Sequence, residues 1–130
     1  MPRELYCLGA DDIIEIHRQV TGERDPQLRS PALLESAVFA PFHTCEGKDM
    51  FPSQFHKAAA LLRSLAENQP FVDGNKRTAW IAMRTFLIRN HIEVEATVED
   101  VVHLMLRLAN KKVGVEDIVE FLVQRARFTS

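Results

Sequence analysis

The chain has 130 residues, 46% hydrophobic and 26% charged, with a formal net charge of −2. That length suits one domain, residues 1–130, whose core hides about two-thirds of the unfolded surface, and the near-neutral balance excludes an overall electrostatic pull toward nucleic acid or an anionic membrane. The two cysteines, Cys7 and Cys45, have no C-x-x-C spacing and no secretory signal before them, so reduced thiols and a cytoplasmic location are expected.

Residues 4–8 are read as a short strand ahead of Gly9. Asp12 with Glu15 three positions on resembles a capping box, and Ile13, Ile14, Ile16 and Val20 give an apolar helical stripe to about Thr21. The polar run from Gly22 to Arg29 contains Pro26 and reads as a loop. Ser30 followed by Pro31 predicts a helix start, and Pro41 its stop after about Ala40. Residues 41–51 show no sustained period and read as a loop or short hairpin.

Helix resumes from Pro52 to about Asn68, with Phe55, Ala58, Ala59, Leu62 and Leu65 on one face. The stretch from Ala79 to Ile88 is apolar on almost every side, which places a helix over 76–90 in the middle of the fold. It is too short to span a bilayer and is broken by Arg84 and Thr85. Ile92–Val94 reads as another short strand. Thr97 with Asp100 starts a helix through Leu108, Gly114 interrupts it, and Val115 to about Arg127 forms the last one. The fold class is therefore all-α, a compact bundle of about six helices around the buried 76–90 helix.

The polar stretch before that helix runs Gln69-Pro70-Phe71-Val72-Asp73-Gly74-Asn75-Lys76-Arg77. Two cations at a helix N-terminus are unfavourable by about 0.3–1 kcal/mol each. An anion held by the backbone amides of Gly74 and Asn75 and by Lys76 and Arg77 supplies a reason for them. Glycine at 74 lets backbone approach a ligand closely. Asp73, a carboxylate inside this cationic site, fits a phosphate bridged through a divalent cation, Mg²⁺. The bland alternative is a turn at Asp73-Gly74-Asn75 followed by solvated first-turn cations. Trp80 and Met83 read as core. His17, His91 and His103 are dispersed, without metal-ligand spacing, and read as surface or satisfied interior residues.

The same nine residues resemble the signature loop of the Fic/Doc family, H-P-F-x-D-G-N-G/K-R, at every position but the first. Arg24-Asp25-Pro26, Leu33-Leu34-Glu35-Ser36-Ala37 and Lys57-Ala58-Ala59-Ala60-Leu61-Leu62 resemble its death-on-curing branch, and the likeness extends over roughly residues 5–125. It implies transfer of part of ATP to a protein hydroxyl. On that resemblance Lys76 and Arg77 clamp phosphates and Asp73 holds Mg²⁺ or orients the hydroxyl, while Phe71 anchors the loop. Gln69 stands at the family's catalytic histidine. An amide oxygen accepts a hydrogen bond but has no useful basicity near neutral pH, so a weakened or inactive form is expected, unless the fold brings His43 or His56 to the loop.

AMP-transferring Fic proteins usually carry a second glycine and a second arginine where this chain has Lys76 and Trp80. That departure resembles the Doc pattern and implies a kinase acting on elongation factor Tu, the alternatives being an AMP transferase or a non-catalytic binding module. A inhibitory S/T-x-x-x-E-G/N string is missing, Ser64-Leu65-Ala66-Glu67-Asn68 being one residue short. The resemblance thus implies a toxin restrained by a separate antitoxin, whose disordered segment folds into a groove. It also suggests that 41–51 is a flap, with Lys48 and Phe51 toward the target.

Overall fold

The computed structural model describes residues 7–45 and 47–129. Among these, six α-helices and two short two-stranded sheets make up the regular structure. The helices are α1 (Ala10–Thr21), α2 (Pro31–Phe39), α3 (Gln54–Asn68), α4 (Asn75–Arg89), α5 (Val98–Ala109) and α6 (Val115–Arg125). A hairpin of β1 (Thr44–Cys45) and β2 (Lys48–Asp49) separates α2 from α3, and β3 (Ile92–Val94) pairs antiparallel with β4 (Ala126–Phe128). No helix among the described residues is long and apolar enough to cross a membrane.

The bundle is all-α, as expected, and α4 is buried through Thr78, Ala79, Trp80, Ala82, Met83, Phe86 and Leu87. It shares the centre with α3, which packs against α2, α4, α5 and α6. The run Ala58-Ala59-Ala60 lies buried on α3, and its small side chains let neighbouring backbones come close on several sides. One contiguous apolar cluster joins these two helices to Ile13, Leu34, Ile92, Leu104, Ile118 and Leu122.

Capping explains most of the boundaries. Ser30, Ser53 and Thr97 each accept a hydrogen bond from the amide three residues on, at 3.2, 3.0 and 3.1 Å, relieving amides that lack an intrahelical acceptor. Two boundaries differ from the sequence reading. Asp12 is not the cap of α1 but its third residue: Gly9 caps, and its N–H donates to Asp12 Oδ2 at 2.8 Å. α2 ends at Phe39, within a residue of the expected stop, and the chain passes Pro41 in a 3₁₀ turn over Ala40–Phe42. The last helix stops at Arg125 rather than Arg127. Ala126–Phe128 instead satisfies the exposed edge of Ile92–Val94, and Arg127 reaches Glu93 at 2.6 Å. The strand read at 4–8 lies mostly outside the described residues, and its described end, Cys7 and Leu8, is irregular.

The hairpin is tied to α3 by a buried lysine. Lys57 Nζ donates to Asp49 Oδ2 at 2.7 Å and to the Pro41 carbonyl at 3.2 Å, and lies 5.3 Å from the centre of the Phe42 ring. The Lys57 hydrogen bond, with a second from the Phe51 amide, holds the Asp49 carboxyl below its ordinary range. A carboxyl lowered in the folded state stabilises above its unfolded pKa and loses that contribution as pH falls through the folded value. The hairpin signals of Lys48–Met50 should therefore move below the ordinary aspartate range while helical circular dichroism is retained, and Asp49→Asn should abolish the change. An identical acid profile in Asp49→Asn would contradict this clamp.

Candidate active site

The connection from α3 to α4 is the stretch singled out by sequence, and it is held from three sides. At its start Gln69 caps α3 in the left-handed conformation (φ 48°, ψ 60°), its N–H donating to the Leu65 carbonyl at 3.2 Å. A non-glycine residue there costs roughly 1–2 kcal/mol, and strain of this kind gathers at functional sites. Gln69 is exposed and Pro70 behind it is buried. The Gly22–Arg29 loop runs alongside: Arg29 N–H donates to the Pro70 carbonyl at 2.7 Å, and Val72 N–H to the Gln27 carbonyl at 3.0 Å.

Phe71, 1% exposed, plugs the loop into the core. Its ring stacks on His17 of α1, centroids 3.9 Å apart and planes 13° from parallel. The Asn75 carboxamide closes the turn, its Oδ1 accepting from Phe71 N–H at 2.9 Å and its Nδ2 donating to the Phe71 carbonyl at 2.8 Å. His17 Nε2 lies 2.7 Å from the Asp73 carbonyl.

Two details alter the expected roles. The space left by glycine at 74 (φ 78°) is taken by α1, not by a ligand: a Cβ there would lie 2.7 Å from Thr21 Cγ2 and 3.3 Å from His17 Nε2. The Gly74 N–H, expected to face an anion, instead donates to Asp73 Oδ1 at 2.8 Å. The remaining donors begin one residue later. The first backbone bond into α4 is Thr78 N–H to the Gly74 carbonyl, at 3.1 Å, and no side chain caps the helix. The amides of Asn75, Lys76 and Arg77 therefore precede the helical ladder, at the positive end of the α4 macrodipole.

Asp73, Lys76 and Arg77 are exposed around these amides. Asp73 retains one carboxylate oxygen outside its turn, enough for a hard cation that also takes phosphate oxygens; among the described residues no three His, Cys, Asp or Glu side chains gather for a metal. Lys76 and Arg77 also rim an open groove of about 440 Å³, lined by Val20, Trp80, Ile81, Val101, Val102, Met105 and Leu106. Trp80 is 9% exposed, and its ring meets Phe121 edge to face at 6.2 Å.

The two histidines considered as substitutes for a base are placed elsewhere. His56 sits in the first turn of α3, between Ser53 and Glu116 at 2.5 and 3.1 Å. Gln69 follows the other end of that 15-residue helix, about 20 Å away at 1.5 Å per residue. His43 is exposed and lines a cleft with Arg63, Ser64 and Glu67, which includes no residue of the 69–77 loop. His103 is exposed and His91 half-buried. The residue that sequence reasoning missed is His17, buried against the loop. Its spacing four after Ile13, itself fully buried, puts it on the inner face of α1, a signal for burial but not for its partner.

Residues 7–87 match the Fic/DOC family. The chain belongs to that family. A Mycolicibacterium smegmatis (strain ATCC 700084 / mc(2)155) protein named Toxin Doc is similar, 43% identical over 94 residues that cover 71% of this chain and 72% of the relative. The family match over 7–87 takes in the 69–77 loop and most of α4, the parts of this Fic/DOC chain that the geometry above brings together.

The α1 contact makes Gly74 structurally demanding. Gly74→Ala should lower stability by about 2 kcal/mol or more, from the left-handed backbone and the Thr21 contact together. Adding Thr21→Ser removes Cγ2 but keeps the hydroxyl that donates to the His17 carbonyl at 2.8 Å, and should recover part of the loss in thermal denaturation. Recovery of none would remove the Thr21 contact as a cause.

Proposed function

We propose that this chain is a Doc-type toxin of a toxin–antitoxin pair, built to transfer phosphate from ATP to a hydroxyl of a translation factor, elongation factor Tu. The observation that carries the reading is the uncapped start of α4, with three unpaired amides, Lys76, Arg77 and Asp73 around one point. The fit to the Fic/DOC family and the similarity to a protein named Toxin Doc support it.

In such a transfer the substrate hydroxyl oxygen attacks the terminal phosphorus, the bond to the bridging oxygen breaks, the hydroxyl proton passes to water and ADP leaves. The amides of Asn75 to Arg77 would orient the phosphates, Arg77 in a fork that lysine lacks, and Lys76 would neutralise charge. Asp73 would hold Mg²⁺, which supplies charge stabilisation at the phosphate oxygens when bound. Gln69 would accept a hydrogen bond from the hydroxyl without removing its proton. Loss of a general base costs about 10²–10⁴ in rate, so this chain would be a weakened form.

Kinase is favoured over AMP transferase by Trp80. A second phosphate-binding arginine would have to stand there, and the position is occupied by a ring buried against Phe121. The apolar groove suits an antitoxin segment that folds as an amphipathic helix on Trp80, Val102 and Leu106, with acidic side chains toward Lys76 and Arg77. Because these two cations border both groove and loop, an occupant would draw them from the nucleotide. The cytoplasm is the compartment where such a target is met.

Restoring histidine tests the reading. The Gln69→His variant with ATP labelled at the γ-phosphate should mark elongation factor Tu about 10²–10⁴ times faster than the parent, and ATP labelled at the α-phosphate should leave it unmarked. Transfer of the α-label would point to AMP transfer instead. No transfer from either would sink the enzyme reading and leave a binding module.

A further inference from the structure

We infer that His17 is a positioning residue for the 69–77 loop, selecting the orientation of the Asp73–Gly74 peptide and with it the direction of the amides that follow. A carbonyl oxygen only accepts, so the 2.7 Å contact between His17 Nε2 and Asp73 O places the ring hydrogen on Nε2. The stack on Phe71 fixes the plane of the ring, so the direction of that N–H is set by two contacts rather than one.

The peptide it holds has two faces. Its carbonyl is tied to His17, and its N–H, the Gly74 amide, closes onto Asp73 Oδ1 at 2.8 Å. C=O and N–H of one planar peptide point in opposite directions, so turning the carbonyl away would withdraw the amide and release the carboxylate. Glycine at 74 gives such a rotation little steric resistance. Without the His17 bond the turn has a second orientation within reach, in which Asp73 and the start of α4 no longer face one point.

Stability alone does not account for a histidine here. His17 is 1% exposed and its other nitrogen, Nδ1, is buried without a hydrogen-bond partner. A buried unpaired polar atom is costly, and an apolar ring of similar shape would fill the space without it. What histidine offers over phenylalanine at this place is the Nε2–H.

The consequence for nucleotide rests on the reading of this loop as a phosphate site; the positioning role does not. The test compares His17→Phe, which keeps a ring on Phe71 but has no donor, with His17→Gln, whose Nε2 keeps a donor at similar reach. Three quantities are measured on the full chain: melting temperature, the apo amide signals of Gly74–Arg77, and Mg-ATP affinity by calorimetry. His17→Phe should melt near the parent temperature, since relief of the unpaired Nδ1 offsets loss of the bond to Asp73, and should displace those amide signals and weaken Mg-ATP about tenfold. His17→Gln should leave the signals near their parent positions and affinity within about threefold.

Unchanged amide signals in His17→Phe would overturn the inference. So would a His17→Gln variant that displaces them as far as phenylalanine does, since the donor would then not be what orients the peptide. If the parent itself binds no Mg-ATP but His17→Phe still moves the Gly74–Arg77 amides, the positioning role stands and the nucleotide reading is what fails.

Discussion

The Asn75 carboxamide, bonded to both the N–H and the carbonyl of Phe71, is the constraint on which the site depends. One side chain satisfies both backbone groups of a buried residue, so Phe71 can sit in the core while the residues after it stay at the surface. The residue before it at the N-cap, Gly74, has no side chain, so α4 also starts without a side-chain cap. A glycine N-cap forgoes roughly a few tenths of a kcal/mol, and the cations at 76 and 77 add a penalty of up to about 1 kcal/mol each. Gln69 adds left-handed strain. These local costs are tolerated because α3 and α4 on either side are among the most deeply buried helices of the chain.

The arrangement divides labour between rigid and exposed parts. Phe71, Thr78, Ala79 and Trp80 are buried, while Asp73, Lys76 and Arg77 are exposed within the same ten residues. Polar groups carried on the end of a buried helix lose little freedom when a ligand arrives, which is the advantage of preorganisation. Lys76 and Arg77 also border the apolar groove against α5. On the proposed reading, restraint by a partner in that groove would act on phosphate binding directly, through shared side chains and not through a distant change of shape.

Much of this was legible in the chain itself. The starts at Ser30 and Thr97, the interruption at Gly114 and the buried helix beginning near residue 76 follow from capping chemistry and apolar spacing, which are local. The misses came from partners remote in sequence. Ala126–Phe128 continues the last helical segment on paper, and only the open edge of Ile92–Val94, more than thirty residues earlier, turns it into a strand. Gly74 reads as room for a ligand to approach, yet a glycine does not say what approaches; here it is Thr21 and His17 of α1. His17 could be placed on the inner face by its distance from Ile13, but its bond to Asp73 spans 56 positions and no local pattern records it.

The central claim is that the start of α4 grips the phosphate end of a nucleotide, and an amide-resolved titration of the chain with Mg-ATP tests it most directly. The account predicts that the amide signals of Asn75, Lys76 and Arg77 shift first and furthest, that Asp73 follows when Mg²⁺ is present, and that the α6 signals stay in place. Signals of residues 73–77 left undisturbed at millimolar Mg-ATP would contradict it, whatever family the chain belongs to.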